Sequence, residues 1–134
     1  TNADIIQYRL TQMPKWQERR NEIAAIYTKD LKYDIICQNV PQELSHNFHK
    51  FVIRFEDKEQ RKRVKDGLKA IGLNANIHYE KPLSENSLYI TEHHRKDNCT
   101  NSRIASDTVM SLPIHAWLTD EEINKICNTI LMLL

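Results

Sequence analysis

The chain is poor in glycine, poor in cysteine and without a long apolar run, and each shortage closes off a class of function. Two glycines in 134 residues, Gly67 and Gly72, leave no Gly-rich loop whose backbone amides could cradle a phosphate. Three cysteines, Cys37, Cys99 and Cys127, stand far apart with no C-x-x-C pair. An odd, scattered set argues against both a disulfide framework and a zinc site. No stretch approaches the roughly 18 apolar residues of a membrane span, and no signal peptide opens the chain. A reducing cytoplasm fits this usage. The net charge is only +1, too small to favour nucleic acid or an anionic membrane surface. No methionine opens the sequence, as expected of a chain that begins inside a longer protein.

What is present is the profile of one soluble globular domain, 40% apolar and 28% charged. Residues 3 to 13 read as a helix that Pro14 breaks or kinks, and a second helix runs from about Lys15 to Leu31. Its apolar stripe is Trp16, Ile23, Ala24, Tyr27 and Leu31. Residues 32 to 47 read mostly as connection. Phe51 to Phe55 is an apolar, β-branched run expected to be a strand. The next helix has Asp57 as its cap, Gln60 three residues on, and Gly72 as its stop. Val64, Leu68 and Ile71 form its expected buried stripe, while the basic run Arg61-Lys62-Arg63-Val64-Lys65 reads as a solvated face matched by nearby acids. A second strand is expected from about Leu73 to His78, giving a split α+β unit.

Residues 80 to 103 are polar and read as a long surface loop. A short helix near Arg103 to Thr108 then leads into a third strand, Val109 to Leu112, stopped by Pro113. The last helix carries the clearest signal: Thr119 and Glu122 form a T-x-x-E capping box, ahead of the stripe Ile123, Ile126, Ile130 and Leu133. The fold class is therefore α/β in the broad sense, α+β in detail, with a small sheet covered by helices.

None of the usual catalytic constellations is assembled. His93-His94 with Cys99 is the one histidine–cysteine grouping, and adjacent histidines do not readily turn both rings to one ion. Cys37 and Cys127 sit among apolar neighbours and read as inert fillers. Asp120 and Glu121 serve the dipole at the start of the last helix. Composition and spacing by themselves give a soluble α+β domain without an active site of its own.

The order of the motifs says more. Pro14-Lys15-Trp16, then Arg19-Arg20-Asn21-Glu22-Ile23-Ala24 and Tyr27, resembles the pattern L-P-x-W-x-x-R-R-x-x-I-A-x-x-Y-x-x-x-L that starts the C-terminal part of the DegT/DnrJ/StrS sugar aminotransferases. Ile77-His78-Tyr79-Glu80-Lys81-Pro82-Leu83 is similar to that family's H-Y-x-x-P-L-H box. Ser111-Leu112-Pro113-Ile114-His115, followed by Leu118-Thr119-Asp120-Glu121-Glu122-Ile123, resembles its L-S-L-P-x-x-x-x-L-T-x-E-E-I ending. The match runs through the whole chain. Two positions depart from it: Ser84 replaces the usual second histidine of the box, and Ser87 a common proline.

The resemblance implies a fold-type-I enzyme with a large domain that binds pyridoxal phosphate, a homodimer that moves an amino group, usually from glutamate, to a nucleotide-linked keto-sugar. It makes residues 1–134 the small C-terminal domain, with 1–31 a helical segment leading from the large domain and 32–134 an α+β core. It assigns the Schiff-base lysine, the acid facing the pyridinium nitrogen and the phosphate cup to sequence upstream. No catalytic, cofactor or metal residue is therefore expected here, and the chain alone should be inactive. Ser45 to Lys50 keeps the S-x-x-x-x-K spacing of the cofactor lysine motif, yet Lys50 runs straight into a strand and reads as a surface residue. His78 and Tyr79 are the residues expected to touch the substrate's sugar or phosphates, with Ser84 and Asn86 as further candidates. Tyr89 reads as packing, and His115, beside Pro113, as a turn residue, with lining of the cleft as its alternative. The other reading left open is a free-standing α+β ligand-binding or regulatory module without catalytic activity.

Overall fold

The computed structural model describes residues 1–90 and 97–134, with no account of the side chains of Tyr89 and Ile90. The readings placed on His93, His94 and the side chain of Tyr89 fall outside the described residues. Among the described residues the elements are α1 (Asn2–Leu31), β1 (Ile36–Cys37), β2 (Phe51–Arg54), α2 (Lys58–Ala70), a 3-10 turn (Leu83–Glu85), α3 (Ser87–Ile90), α4 (Thr100–Thr108), β3 (Val109–Leu112) and α5 (Asp120–Leu133). The three strands form one antiparallel sheet in the order β1-β2-β3. Phe51 and Ile53 of β2 and Met110 and Leu112 of β3 turn into a core completed by Tyr27 and Leu31 of α1, Val64 and Leu68 of α2, and Ile123, Ile126 and Ile130 of α5.

Four expectations change. The helix expected to stop at Pro14 is one helix of 30 residues with Pro14 inside it. Proline removes the amide that would bond the Leu10 carbonyl, but Leu10 and Met13 are both exposed, so water can take that carbonyl and the break is tolerated. Residues 73–78 do not form a strand. Their pairing with the sheet is a single antiparallel bridge, Asn76 with Ser111, while the third strand is the two-residue β1, inside what the sequence presents as connection. Arg61 is not on a solvated face. It is 5% exposed, and its guanidinium donates to the carbonyls of Ser106 and Val109 at the end of α4. Ile71, expected in the α2 stripe, is exposed instead.

The caps follow the sequence closely. Asp57 accepts from the amide of Gln60 at 2.7 Å, and Thr119 and Glu122 cap α5 reciprocally. Gly72 sits at φ +81°, the left-handed turn that ends α2, with the Leu73 amide reaching back to Leu68 and that of Gly72 to Lys69. Gly67 allows α2 and α5 to approach closely, since a β-carbon there would collide with the side chain of Leu133.

Packing divides α1 into two halves. The stripe Ala24, Tyr27, Leu31 is buried by the domain itself. The same stripe runs backward at heptad spacing through Met13, Leu10 and Ile6, and there it lies exposed. No helix among the described residues is long and apolar enough to cross a membrane.

Candidate functional site

The residue most closely held is His78. The Schellman turn at Gly72 releases the chain from α2 and aims it along the outer edge of β3. There the Asn76 amide donates to the Ser111 carbonyl at 3.1 Å and the Ser111 amide to the Asn76 carbonyl at 2.8 Å. Two residues later, His78 Nδ1 lies 3.0 Å from the hydroxyl of buried Ser111, a hydrogen bond whose direction the ring tautomer sets. The His78–Tyr79 peptide is cis, and the two rings meet edge to face at 5.6 Å. Tyr79 points outward, 72% exposed, with the Lys50 ammonium 5.8 Å from its ring centroid.

His78 lines a cleft of about 490 Å³ together with His49, Lys50, Ser111, His115 and Glu122. Its walls come from four places in the sequence: the lead into β2, the turn after α2, the end of β3 and the first turn of α5. The far wall is fixed from behind, because the buried hydroxyl of Tyr27 donates to the Pro113 carbonyl at 2.8 Å. Four of the polar lining groups are basic. The one carboxylate, Glu122, is engaged by the amide and hydroxyl of Thr119 at 2.9 and 3.1 Å, and these bonds lower its pKa. Partial burial, with the charges of Lys50 and His49, holds the His78 imidazole below its ordinary pKa, so a neutral ring is favoured.

The other expected site residues are not gathered here. Ser84 is exposed in the 3-10 turn, and Asn86 spends its side-chain oxygen on the Leu88 amide at 3.1 Å; neither lines the His78 cleft. The cleft brings in instead Lys50, which the sequence presents as strand-leading surface, His49, which the sequence reading did not single out, and His115, read as a turn residue with cleft lining as the alternative. The signal that could have found them is their shared type: three basic side chains placed where chain segments end beside the H-Y pair.

The chain does not fit pyridoxal phosphate. Among the described residues no lysine is buried, and the only acid in the cleft is committed to a helix cap. A Schiff-base lysine, an acid for the ring nitrogen and a phosphate cup would all have to come from elsewhere. Among the described residues no group of three or more His, Cys, Asp or Glu is placed to hold a metal ion. Burial raises the thiol pKa of Cys37 and pushes that of Cys127 up to about 12, which leaves both poor nucleophiles.

Comparison with known proteins agrees with this picture of a partial site. The chain is 27% identical over 129 residues to the dTDP-3-amino-3,6-dideoxy-alpha-D-galactopyranose transaminase of Aneurinibacillus thermoaerophilus, covering 96% of this chain and 34% of that protein. It is 26% identical to a UDP-N-acetyl-3-dehydro-alpha-D-glucosamine 3-aminotransferase of Acidithiobacillus ferrooxidans, again over 96% of this chain and 34% of the relative. The fold matches the crystal structure of a DegT/DnrJ/EryC1/StrS aminotransferase from Brucella abortus with a TM-score of 0.83 at 24% identity, covering 94% of this chain and 33% of that one. The chain thus spans about a third of the length of the relatives it matches. A model of the DegT/DnrJ/EryC1/StrS aminotransferase family matches residues 1–131, and the chain belongs to that family.

Proposed function

We propose that this chain is the small C-terminal domain of a pyridoxal-phosphate-dependent aminotransferase that moves an amino group, usually from glutamate, onto a nucleotide-linked keto-sugar. The supporting observation is the division of labour: a polar cleft built around His78 and Ser111, and no lysine enclosed for a Schiff base among the described residues. The cofactor supplies the electron sink for transamination when bound, and in this reading it is held by the remainder of the parent.

The chain's own contribution is binding and closure. His78, kept neutral and tethered by Ser111, offers a hydrogen bond to a sugar hydroxyl or phosphate oxygen, Tyr79 presents an exposed ring and hydroxyl beside it, and Lys50 adds positive charge. Ser84 and Asn86 lie farther out, where a long substrate would pass. The exposed apolar half of α1 suits burial against the large domain or a second subunit of a homodimer, and the isolated chain should self-associate in a concentration-dependent way. Three thiols without a disulfide suit a reducing compartment such as the cytoplasm.

The test is a split of the reaction in the parent enzyme. His78→Ala and Tyr79→Ala should raise KM for the keto-sugar at least about 10-fold, the scale of one lost hydrogen bond in a dry site, while the amino-donor half-reaction keeps its rate. Unchanged keto-sugar kinetics in both variants would sink the reading.

A further inference from the structure

Ser111 is buried where the packing of the core gives no reason for it. It stands between Met110 and Leu112 on β3, and since side chains along a strand alternate, those two face the core and Ser111 faces the other side of the sheet. It is nonetheless only 6% exposed. Its amide and carbonyl are both spent on Asn76, which leaves the hydroxyl as its one uncommitted polar group. That hydroxyl lies 3.0 Å from His78 Nδ1 and has no other hydrogen-bond partner among the described residues. The imidazole has no second partner among them either. His49, Lys50, His115 and Glu122, the titratable groups that share the cleft, line it without bonding to the ring.

The pairing of hydroxyl and ring has two possible directions, and burial separates them. If the hydroxyl accepts from Nδ1–H, its own proton is left without an acceptor in a place largely closed to water. If it donates to Nδ1, only lone pairs are left over, and a buried lone pair without a partner costs less than a buried donor without one. The neutral ring carries one proton between its two nitrogens, so a Nδ1 that accepts puts that proton on Nε2. We propose that Ser111 is a positioning residue whose hydroxyl donates to His78 Nδ1 and fixes the ring as its Nε2–H tautomer. His78 then meets the contents of the cleft as a hydrogen-bond donor, and the nitrogen it presents is not free to take up a proton: it binds and does not act as a base. This rests on the reading of His78 as a ligand-facing residue and adds to it the polarity of the contact and the group that sets it. Threonine at position 111 would keep the hydroxyl and suit a strand, whereas alanine would remove the donor and little else.

The experiment reads the ring directly. In the 134-residue chain with isotope-labelled histidine, at a mildly alkaline pH where the ring is neutral, two-bond proton–nitrogen NMR correlations should show His78 with Nε2 protonated and Nδ1 bare. A protonated Nδ1 with a bare Nε2 would overturn the proposal, and this arm needs no variant to fold. Ser111→Ala should turn the single tautomer into a mixture, and Ser111→Thr should keep it; a ring that stays wholly Nε2–H in Ser111→Ala would show that Ser111 does not set it. In the parent enzyme, Ser111→Ala should raise KM for the keto-sugar about 5-fold, the fold-change of one net hydrogen bond, with the amino-donor half-reaction unchanged and Ser111→Thr close to the native enzyme. A raised KM in His78→Ala with none in Ser111→Ala would overturn the positioning role and leave the substrate reading standing. Unchanged keto-sugar kinetics in His78→Ala, with the Nε2–H tautomer present and lost in Ser111→Ala, would do the reverse.

Discussion

Tyr27→Phe isolates one bond between the long helix and the wall of the cleft. Tyr27 is completely buried, its ring packs on Phe51 at 5.2 Å, and its hydroxyl reaches the Pro113 carbonyl at 2.8 Å. Phenylalanine keeps the ring and its packing, so no large cavity forms and the several-kcal/mol cost of an aromatic-to-alanine change does not apply. What is lost is one hydrogen bond, worth about 1 kcal/mol net, plus part of the desolvation cost of a carbonyl left without its donor; the sum is about 1–2 kcal/mol. For a domain of this size that corresponds to a fall in Tm on the order of 3–8 °C. Urea denaturation followed by circular dichroism should show a lower midpoint at unchanged slope. Because Pro113 leads directly to Ile114 and His115, ring NMR signals of His115 should also shift. A stability loss under about 0.3 kcal/mol would refute the view that this bond anchors the cleft wall.

Other consequences can be checked as directly. Burial pushes the Tyr27 phenol far above its ordinary value of 10, so folding holds a proton that the unfolded chain releases; stability should be intact below pH 10 and fall above it, and Tyr27→Phe should remove that part of the alkaline slope. His78 is shifted the other way, lowered from 6.5, so the unfolded chain takes up the proton first: its contribution is present above pH 6.5 and is lost as pH falls below it, and urea midpoints for His78→Gln should lose that acid slope. Exposed Cys99 should react with a thiol reagent in the native state, whereas Cys127, buried and with its thiol pKa near 12, should react only after unfolding; rapid native labelling of Cys127 would contradict the packing of α5. Thr119→Ala removes the reciprocal cap with Glu122 and should cost about 1 kcal/mol in chemical denaturation; a neutral result would show that the box does not hold α5 in place.

Local chemistry was legible in the sequence wherever it acts over a few residues. The Thr119–Glu122 box, the Asp57 cap and the Gly72 stop each satisfy helix-end groups from within the same turn, so residue type and spacing carry the information. β2 and β3 were legible because apolar runs bounded by Asp57 and Pro113 have little else to form. What was hidden depends on distant partners. β1 is two residues long and exists because Cys37 and Ile36 find Ile53 and Arg54. Residues 73–78 have strand-like composition but meet only the outer edge of β3, at Asn76. Arg61 reads as solvated among lysines, and only the carbonyls at the end of α4, forty-five residues on, explain its burial. The site followed the same rule: the motif resemblance singled out His78 and Tyr79, while His49, Lys50 and His115 joined the cleft through tertiary placement.

The most direct trial of a substrate-facing domain that borrows its cofactor is chemical. Incubate the 134-residue chain with pyridoxal phosphate, reduce with borohydride and map the modified lysines by mass spectrometry, with a keto-sugar transamination assay alongside. A domain that borrows its cofactor should show sparse labelling scattered over exposed lysines and no turnover. Stoichiometric capture at a single lysine, Lys50 above all, together with amino transfer by the chain unaided, would contradict it.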